Sequence, residues 1–368
     1  MTHYQSLRTI CIVAGARPNF VKVAPLIRAI EKADGAAYQL VYAGCENDPT
    51  LESSLFDDLQ MPRPNFYLGV DSQSLNEITS RVIAEFDRFL DTHPTDVVIV
   101  VDDLASTMAA AITAKKRGLR LAHLVAGTRS FDINMPKEVN RLVIDALSDY
   151  LFTAGVKSNS VATREQQSEQ SQTYMVGNIL MDTLRYNLPR FTPPPFILHS
   201  SLNTQPYIVL TLNRRALLAD EDNLRQMLKT MAEAAGEVPI IAALRDKAHS
   251  VVSRLLKELN DQSPFILQPS LPYLEFGWLT AHSQGVITDS GNVAEEATFN
   301  GVPCITLNDY TEHQETVTVG TNILVGSDTQ KLAVALGQML RHEWKKSALP
   351  DRWDGRTAER IVQILMSF

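Results

Sequence analysis

The sequence predicts an α/β protein built from two doubly wound parallel sheets. Short β-branched runs alternate with amphipathic stretches, which is typical of βαβ units covered on both faces. A Pro-rich, polar stretch at residues 188–206 interrupts this alternation near the middle of the chain. The length of 368 residues also exceeds what a single hydrophobic core usually supports. We therefore predict two domains joined by a linker.

Each half of the chain contains several predicted strands, most of them followed by a helical pattern. Before the Pro-rich stretch the predicted strands are residues 9–14, 39–43, 96–101, 121–125 and 150–153. After it they are residues 207–212, 239–243, 265–267, 285–287 and 304–307. An amphipathic helix is predicted at residues 355–366, where apolar residues recur at helical spacing. The predicted domains are residues 1–187 and 207–350, with 188–206 as the linker and 351–368 as a C-terminal helix.

Composition excludes several classes of protein. The net charge of −8 argues against a surface for nucleic acid or an anionic membrane. Cys11, Cys45 and Cys304 lack the spacing of a metal site or a disulfide framework, so no metal is predicted. The N-terminus does not have the pattern of a signal peptide, and no apolar stretch is long enough to span a bilayer. We expect a cytoplasmic protein.

The segment from Thr288 to Ala297 is the most informative one for function. It follows a short apolar strand and opens a predicted helix through Ser290 and Gly291. A helix start offers free N–H groups and a positive dipole end to a phosphate, and Glu296 could accept hydrogen bonds from sugar hydroxyls. The alternative is an ordinary helix N-cap, because Asp and Ser are common there.

A second candidate for phosphate binding follows the first strand. Gly15-Ala16-Arg17-Pro18 places a guanidinium after a glycine turn, where it could hold two diphosphate oxygens; a solvated loop arginine is the alternative. The chain has neither the G-x-G-x-x-G fingerprint nor a P-loop, which argues against a nicotinamide dehydrogenase or an NTPase. No cofactor is predicted. Because polar clusters fall at strand ends, we expect the site in a cleft where the carboxyl ends of the two sheets face each other.

A set of motifs in fixed order identifies a family resemblance. The motifs are Gly15-Ala16-Arg17-Pro18, Asp103 with Ser106-Thr107, the run from His123 to Asp132, the run from Met135 to Arg141, Val176-Gly177-Asn178, Asp289-Ser290-Gly291 with Glu295-Glu296, Thr311-Glu312, and Gly320-Thr321-Asn322. Over essentially the whole chain, this order resembles the non-hydrolysing UDP-N-acetylglucosamine 2-epimerase family.

The resemblance implies a GT-B-like arrangement of two Rossmann-like domains facing across a cleft that holds a UDP-sugar. It implies UDP-N-acetylglucosamine or a related UDP-sugar as ligand, a homodimer as the assembly, and a C-terminal helix that packs back on the first domain. By matching positions, Arg17, Ser290 and Gly291 would hold the diphosphate and Glu296 the ribose hydroxyls. Asn213 lies where the family has a histidine near the departing diphosphate.

The family's reaction removes a proton from C2 of the hexosamine, expels UDP to leave a 2-acetamidoglucal, and adds UDP back with the proton returned on the opposite face. This chain departs from the family at the groups that handle that proton. Val125 and Lys137 stand where the family has glutamates, and Asn213 stands where it has the histidine. An amide cannot shuttle a proton at neutral pH. Altered or lost epimerisation is therefore predicted, while nucleotide binding persists.

Four residues remain candidates for acid-base work. Asp103 matches a carboxylate that the family uses, and Glu138 is also retained. Beside Val125, desolvation would raise the pKa of Asp103 unless Lys137 lowers it again. Lys137 could itself be a base, although a salt bridge to Asp103 or Glu138 is the simpler expectation. His313 replaces an arginine of the family and is the fourth candidate.

Two further predictions concern a histidine and a group of three aromatic residues. His123 ends a buried strand, where a structural and a functional role are both open. Tyr273, Phe276 and Trp278 have the spacing of a helix packed on the core. Three functions remain open: an enzyme acting on a UDP-N-acetylhexosamine, a non-catalytic UDP-sugar-binding paralogue or partner subunit of a true epimerase, and a glycosyltransferase of the same fold.

Overall fold

The computed structural model describes residues 7–166, 168–258 and 263–367. The chain divides into two compact units. One contains the described residues through Tyr186 together with those from Asp351 onward, and the other runs from Asn187 to Pro350.

In the described part of the first unit, seven parallel strands form one sheet with helices between them. The strands are β1 (Arg8–Ala14), β2 (Ala36–Tyr42), β3 (Phe66–Tyr67), β4 (Val97–Val101), β5 (Arg120–Leu124), β6 (Tyr150–Thr153) and β7 (Gln172–Met175). The helices are α1 (Arg17–Glu31), α2 (Ser53–Leu59), α3 (Leu75–Thr92), α4 (Ala105–Lys116), α5 (Pro136–Leu147), α6 (Val156–Glu165) and α7 (Ile179–Asn187). The strand order β3-β2-β1-β4-β5-β6-β7 reverses direction between β1 and β4.

The central strands form because their residues are apolar on both faces. β4 is Val-Val-Ile-Val-Val and is buried along its whole length, as a strand covered by helices on both sides requires. Small alanines of α4, such as Ala110 and Ala114, are buried in the same core, which lets α4 lie close to its neighbours. The carboxyl ends of β4 and β5 thus form a fixed edge from which the following loops project.

In the second unit, the described strands form a six-stranded parallel sheet in the order β10-β9-β8-β11-β12-β13. The strands are β8 (Ile208–Thr211), β9 (Ile240–Leu244), β10 (Phe265–Pro269), β11 (Gly285–Thr288), β12 (Cys304–Thr306) and β13 (Asn322–Leu324). The helices are α8 (Pro195–Leu198), α9 (Arg215–Ala219), α10 (Glu221–Ala235), α11 (Asp246–Leu256), α12 (Tyr273–Ala281), α13 (Gly291–Asn300), α14 (Gln314–Thr318) and α15 (Thr329–Leu340). Chain order again reverses, between β8 and β11.

The last helix, α16 (Thr357–Met366), belongs to the first unit and packs against α1. Asp182 of α7 fixes its N-terminus by accepting hydrogen bonds from the N–H groups of Thr357 and Ala358 at 3.0 and 2.8 Å. Burial raises the pKa of Asp182 to about 6, although these two N–H groups oppose the shift. The chain end is thus attached to the unit in which the chain begins.

The Pro-rich stretch contains more structure than its sequence predicts. It holds α8 and two 3-10 turns, Leu188–Arg190 and Ser201–Asn203. Ile197 and Leu202 are buried in the core of the second unit. Proline at the start of a short helix is tolerated because the first N–H groups have no partner inside the helix. The stretch is therefore part of the second unit rather than a free connection.

Three strands were missed by the sequence analysis: β3, β7 and β13. Each has two to four residues and lies at the edge of its sheet, where the apolar signal is weak. Cys11 and Cys304 are buried in strands as predicted. Phe276 and Trp278 pack on the core of the second unit, and Tyr273 stacks edge-on against Phe191. Within the described ranges, none of the helices has the length and apolar character needed to cross a bilayer.

Candidate functional site

Asp103 lies at the carboxyl edge of the first sheet, two residues after β4, and both of its carboxylate oxygens are bound by cations. Lys137 Nζ is 3.3 Å from Oδ1, while Arg141 places Nη2 2.6 Å and Nε 2.8 Å from Oδ2. Lys137 and Arg141 are one helical turn apart on α5, so both reach the same carboxylate. The salt bridge that the sequence favoured for Lys137 is present.

These two cations decide the protonation state of Asp103. Burial alone would raise the pKa of its carboxyl, but the charges of Lys137 and Arg141 outweigh burial and hold the pKa below its usual value. Asp103 is therefore ionised at neutral pH. A low pKa makes it a weak base, because proton transfer is most efficient when the pKa lies near the working pH.

Glu138 is buried and fully occupied by hydrogen bonds. It accepts from the N–H and hydroxyl of Ser130 at 2.8 and 2.9 Å, from the N–H of Phe131 at 3.2 Å, and from Arg141 Nη1 at 3.1 Å. Burial again opposes ionisation, and these donors together lower the pKa of Glu138. Arg141 thus bridges two ionised carboxylates, so neither Asp103 nor Glu138 is protonated at neutral pH to serve as an acid.

Val125 directly follows β5 and has an unusual backbone. Its φ is +75°, in the left-handed region that a β-branched residue rarely adopts. The sequence analysis had placed Val125 inside the strand, but β5 ends at Leu124. The strained residue is the one that stands where the resemblance implies a glutamate. Backbone strain of this kind is common at functional sites.

We expect Val125→Asn to stabilise the first unit by about 1 kcal/mol, because Asn tolerates the left-handed region better than a β-branched residue does. Thermal unfolding checks this, with Val143→Asn on the partly buried face of α5 as the control. That control should lower the midpoint. A lower midpoint for Val125→Asn would show that lost packing of the valine outweighs its strain.

His123 has a structural environment. Its Nδ1 lies 2.5 Å from Asp145 Oδ1 and its Nε2 lies 3.0 Å from the carbonyl oxygen of Asp102. Asp145 also binds Arg129 at 2.7 Å and the N–H of Gly127 at 3.0 Å. Both ring nitrogens are thus engaged inside the protein. The open question from the sequence is answered in favour of a structural role that shapes the loop containing Val125.

A buried charged cluster under the first loop was missed by the sequence analysis. Lys22 Nζ lies 2.6 Å from Asp102 Oδ1, and Asn19 donates to Asp102 Oδ2 at 2.8 Å. The Asn19 side-chain oxygen accepts from the N–H groups of Gly15 and Ala16, which fixes the loop that leads to Arg17. The available signal was Asp102, which directly follows the predicted strand at residues 96–101.

Beside that loop, the first unit has a cleft of about 510 Å³. The loops after β1, β2 and β4 line it, with Ala16, Cys45 and Ser106 among the lining residues. A Cβ at Gly15 would lie 2.1 Å from the Ser106 hydroxyl oxygen and 2.9 Å from Leu104 Cδ1, so a larger residue would require these side chains to shift. Arg17 begins α1 at this edge. The cleft lies at the reversal of strand order, where α/β sheets usually bind ligands.

In the second unit, Asp289 joins the loops after β8 and β11. Its carboxylate accepts hydrogen bonds at 2.8 Å from the N–H of Asn213 and from that of Arg214. Burial raises the pKa of Asp289, and these N–H groups oppose the rise. The backbone of Asn213 is thereby fixed, while its side chain is exposed. Asn213 is therefore positioned at the same edge as Ser290.

The start of α13 comes directly after Asp289 in the chain. Ser290 is the N-cap residue, but its side chain does not cap the helix. The first N–H groups of an α-helix lack partners inside the helix, so this end is suited to an anion. His313 lies against it: a Cβ at Gly291 would be 3.3 Å from Cδ2 and 3.6 Å from Nε2 of the imidazole. His313 Nδ1 is 2.9 Å from Glu295 Oε1.

Glu296 lies one turn into α13 and is 8% exposed. Within the described parts of the chain its carboxyl makes no hydrogen bond or ion pair. Burial and the neighbouring Glu295 raise its pKa to about 8. A buried carboxyl without a partner is unfavourable for folding.

Comparison with known proteins identifies the family. The sequence profile described as UDP-N-acetylglucosamine 2-epimerase matches residues 28–366. The chain belongs to the UDP-N-acetylglucosamine 2-epimerase family. The resemblance inferred from the motifs is therefore confirmed.

Two relatives share about a third of their residues with the chain. The UDP-N-acetylglucosamine 2-epimerase of Methanocaldococcus jannaschii is 34% identical, with 97% of this chain and 98% of the relative covered. The UDP-2,3-diacetamido-2,3-dideoxy-D-glucuronate 2-epimerase of Pseudomonas aeruginosa is 31% identical, with 86% and 88% covered. Both relatives are isomerases, in agreement with the enzyme class predicted from the sequence.

A crystal structure of the Methanocaldococcus jannaschii enzyme, in complex with UDP-N-acetylglucosamine and UDP, has the same fold. Its TM-score is 0.84 at 31% identity, and the alignment covers 98% of this chain and 100% of that one. The predicted fold class, two Rossmann-like parallel-sheet domains of the GT-B-like type, is confirmed.

Proposed function

We propose that this epimerase-family protein binds a UDP-N-acetylhexosamine and that the family's proton transfer at C2 is altered or lost. Binding is supported by the start of α13 at Gly291, whose first N–H groups lack partners within the helix, by the unpartnered Glu296, and by the bound ligands of the related enzyme. In this proposal Arg17, Asn213, Ser290 and Gly291 contact the diphosphate and Glu296 the ribose.

The proposal that proton transfer at C2 is altered or lost rests on the surroundings of Asp103. Asp103 is held ionised between Lys137 and Arg141, and Val125 stands where the resemblance implies a second carboxylate. Moving a proton onto and off C2 requires a base on one face and an acid on the other. Asp103 and Glu138 are both salt-bridged to Arg141, and the pKa values of both are lowered.

The test is to incubate the protein with UDP-N-acetylglucosamine in deuterated water. Calorimetry measures binding, and NMR follows the proton at C2. We expect binding with little or no exchange at C2. Exchange with formation of the 2-epimer at a rate typical of enzymes would overturn the altered chemistry, and the absence of binding would overturn the proposal as a whole. Arg17→Ala should weaken binding about tenfold, whereas Asp103→Asn should leave affinity nearly unchanged.

An acidic UDP-sugar is the second ligand to test. The Pseudomonas aeruginosa relative is named for a UDP-diacetamido-glucuronate, whose sugar carries a carboxylate. Lys137 is 58% exposed and brings a positive charge to a position where the resemblance implies a negative one. If an acidic UDP-sugar is the ligand, the protein should bind the UDP-diacetamido-glucuronate more tightly than UDP-N-acetylglucosamine. Lys137→Met should then remove this difference in affinity. The homodimer stays a prediction, to be tested by sedimentation.

A further inference from the structure

We propose that Asp102 is a positioning residue for the diphosphate site, because through Asn19 it holds the loop before Arg17 in the conformation that binds the ligand. This inference rests on the proposed function, in which Arg17 contacts the diphosphate. The carboxylate of Asp102 is itself occupied by Asn19 and Lys22. Asp102 therefore acts on the ligand through its neighbours.

The backbone of Asp102 is tied to the first sheet. Its N–H donates to the carbonyl of Leu124 at 3.3 Å, and its own carbonyl oxygen lies 3.0 Å from Nε2 of His123. Its φ is +60°, a left-handed conformation that aspartate adopts more readily than most other residues with a side chain. The residue is thus fixed at the end of β4, with its carboxylate against the first turns of α1.

Both ends of the Asn19 side-chain amide are used. Its oxygen accepts hydrogen bonds from the N–H groups of Gly15 at 2.9 Å and Ala16 at 3.1 Å, and its nitrogen donates to Asp102 Oδ2 at 2.8 Å. Asn19 is 2% exposed, so water does not readily replace a lost partner. A carboxylate can only accept, and Asp102 therefore determines which end of the amide faces the loop. Rotated by 180°, the amide would direct its donor at two N–H groups.

Lys22 occupies the other oxygen of Asp102. Its Nζ lies 2.6 Å from Oδ1, and both side chains are largely buried. The two oxygens thus serve different donors, and the arrangement needs an acceptor at both places. The amide introduced by D102N has a single oxygen. Its NH₂ group would face either the ammonium of Lys22 or the NH₂ group of Asn19, so one donor would always be wrongly placed.

The loop that Asn19 holds leads directly to Arg17. Arg17 is the first residue of α1 and follows Ala16, whose carbonyl also accepts the N–H of Asn19 at 2.9 Å. A guanidinium that binds two diphosphate oxygens at once depends on the direction in which the backbone presents it. A loop that is already held in the binding conformation also loses less entropy when the ligand binds. Affinity should therefore depend on Asp102.

The first experiment measures the Kd of UDP-N-acetylglucosamine by calorimetry in a double-mutant cycle. D102N should raise the Kd about fivefold in the wild type, but by less than about twofold in the R17A background, because the side chain that Asp102 positions is then absent. D96N changes an aspartate at the opposite end of β4, which accepts a hydrogen bond from the N–H of Thr9, and should match the wild type. If D102N does not fold, D102G takes its place, since glycine adopts the same φ without strain.

The second experiment exchanges the two side chains. In N19D/D102N the carboxylate accepts from Gly15 and Ala16 and from the new amide, whose oxygen accepts from Lys22. The net charge is unchanged, and each hydrogen bond is kept, with one reversed in direction. We expect a Kd within about twofold of the wild type, whereas N19D alone places two carboxylates against each other and should bind more weakly.

Hydrogen exchange on the protein without ligand gives a readout that does not depend on binding. The amides of Gly15 and Ala16 should exchange faster in D102N than in the wild type, and should regain protection in N19D/D102N. Three results would each overturn the inference and leave the proposed function intact: an unchanged Kd in D102N, an equal effect of D102N with and without Arg17, or a double variant that binds as weakly as D102N. If the wild type does not bind UDP-N-acetylglucosamine, the proposed function fails and the role in binding fails with it, while hydrogen exchange still tests whether Asp102 holds the loop.

Discussion

Glu296→Gln is expected to raise the free energy of unfolding of the second unit by about 3 kcal/mol at pH 8. The carboxyl of Glu296 is buried without a partner, and its pKa rises from 4.5 to about 8 on folding. Each unit of such a shift corresponds to about 1.4 kcal/mol, and relaxation with water entry returns part of that energy. A neutral amide avoids the cost of ionisation.

The pH dependence of the effect has a definite sign. Between about pH 4.5 and pH 8 the folded state binds more protons than the unfolded state at this residue. The stability of the wild type therefore falls as pH rises through this window, and below pH 4.5 the carboxyl contributes nothing. Glu296→Gln should remove this decline. The gain in stability should come with weaker binding of UDP-N-acetylglucosamine, as expected where a strained group serves a ligand.

Tryptophan fluorescence can follow the second unit alone. Trp278 and Trp344 lie in this unit and Trp353 in the other, so a Trp353→Phe background reports unfolding of the second unit in urea. Glu233→Gln on the exposed surface of α10 is the control and should change stability by less than about 0.5 kcal/mol. Equal stability of the wild type and Glu296→Gln at pH 8 would show that solvent offsets the cost of burying the ionised carboxylate.

Much of the fold could be predicted because it depends on local patterns. Runs such as β4 are apolar throughout, and alternation with helices specifies a parallel sheet. β3, with two residues, carries no such signal, because its pairing depends on the loop that brings it to β2. The Pro-rich stretch was predicted as a linker because proline excludes long elements, but not short helical turns.

The sequence predicted where the candidate residues lie, but not their contacts or their backbone conformation. Strand ends placed Asp103 and Asp289 correctly at their sheet edges. The sequence could not show that Arg141 bridges Asp103 and Glu138, because that contact depends on how α5 lies across the edge. Nor could it show the positive φ of Val125, which depends on the neighbouring loops. The contact between Glu295 and His313 joins two segments 18 residues apart.

Arg141 allows a sharp test of the cluster that it forms with Asp103 and Glu138, because Lys137 on the same helix serves as a control. Both cations contact Asp103, but Arg141 is 4% exposed and Lys137 is 58% exposed. Trp353, in a background with Trp278→Phe and Trp344→Phe, reports unfolding of the first unit. The comparison separates a buried bridge from a surface ion pair.

Arg141→Met should lower the free energy of unfolding by about 4 kcal/mol, because it leaves the buried carboxylates of Asp103 and Glu138 without their shared cation. Lys137→Met should cost about 1 kcal/mol or less. Arg141 now lowers both pKa values, so in Arg141→Met burial should raise them, and the loss of stability should shrink as pH falls toward about 4. Equal losses for the two variants, or a loss in Arg141→Met that does not change with pH, would mean that the buried charge of Arg141 does not hold the cluster together.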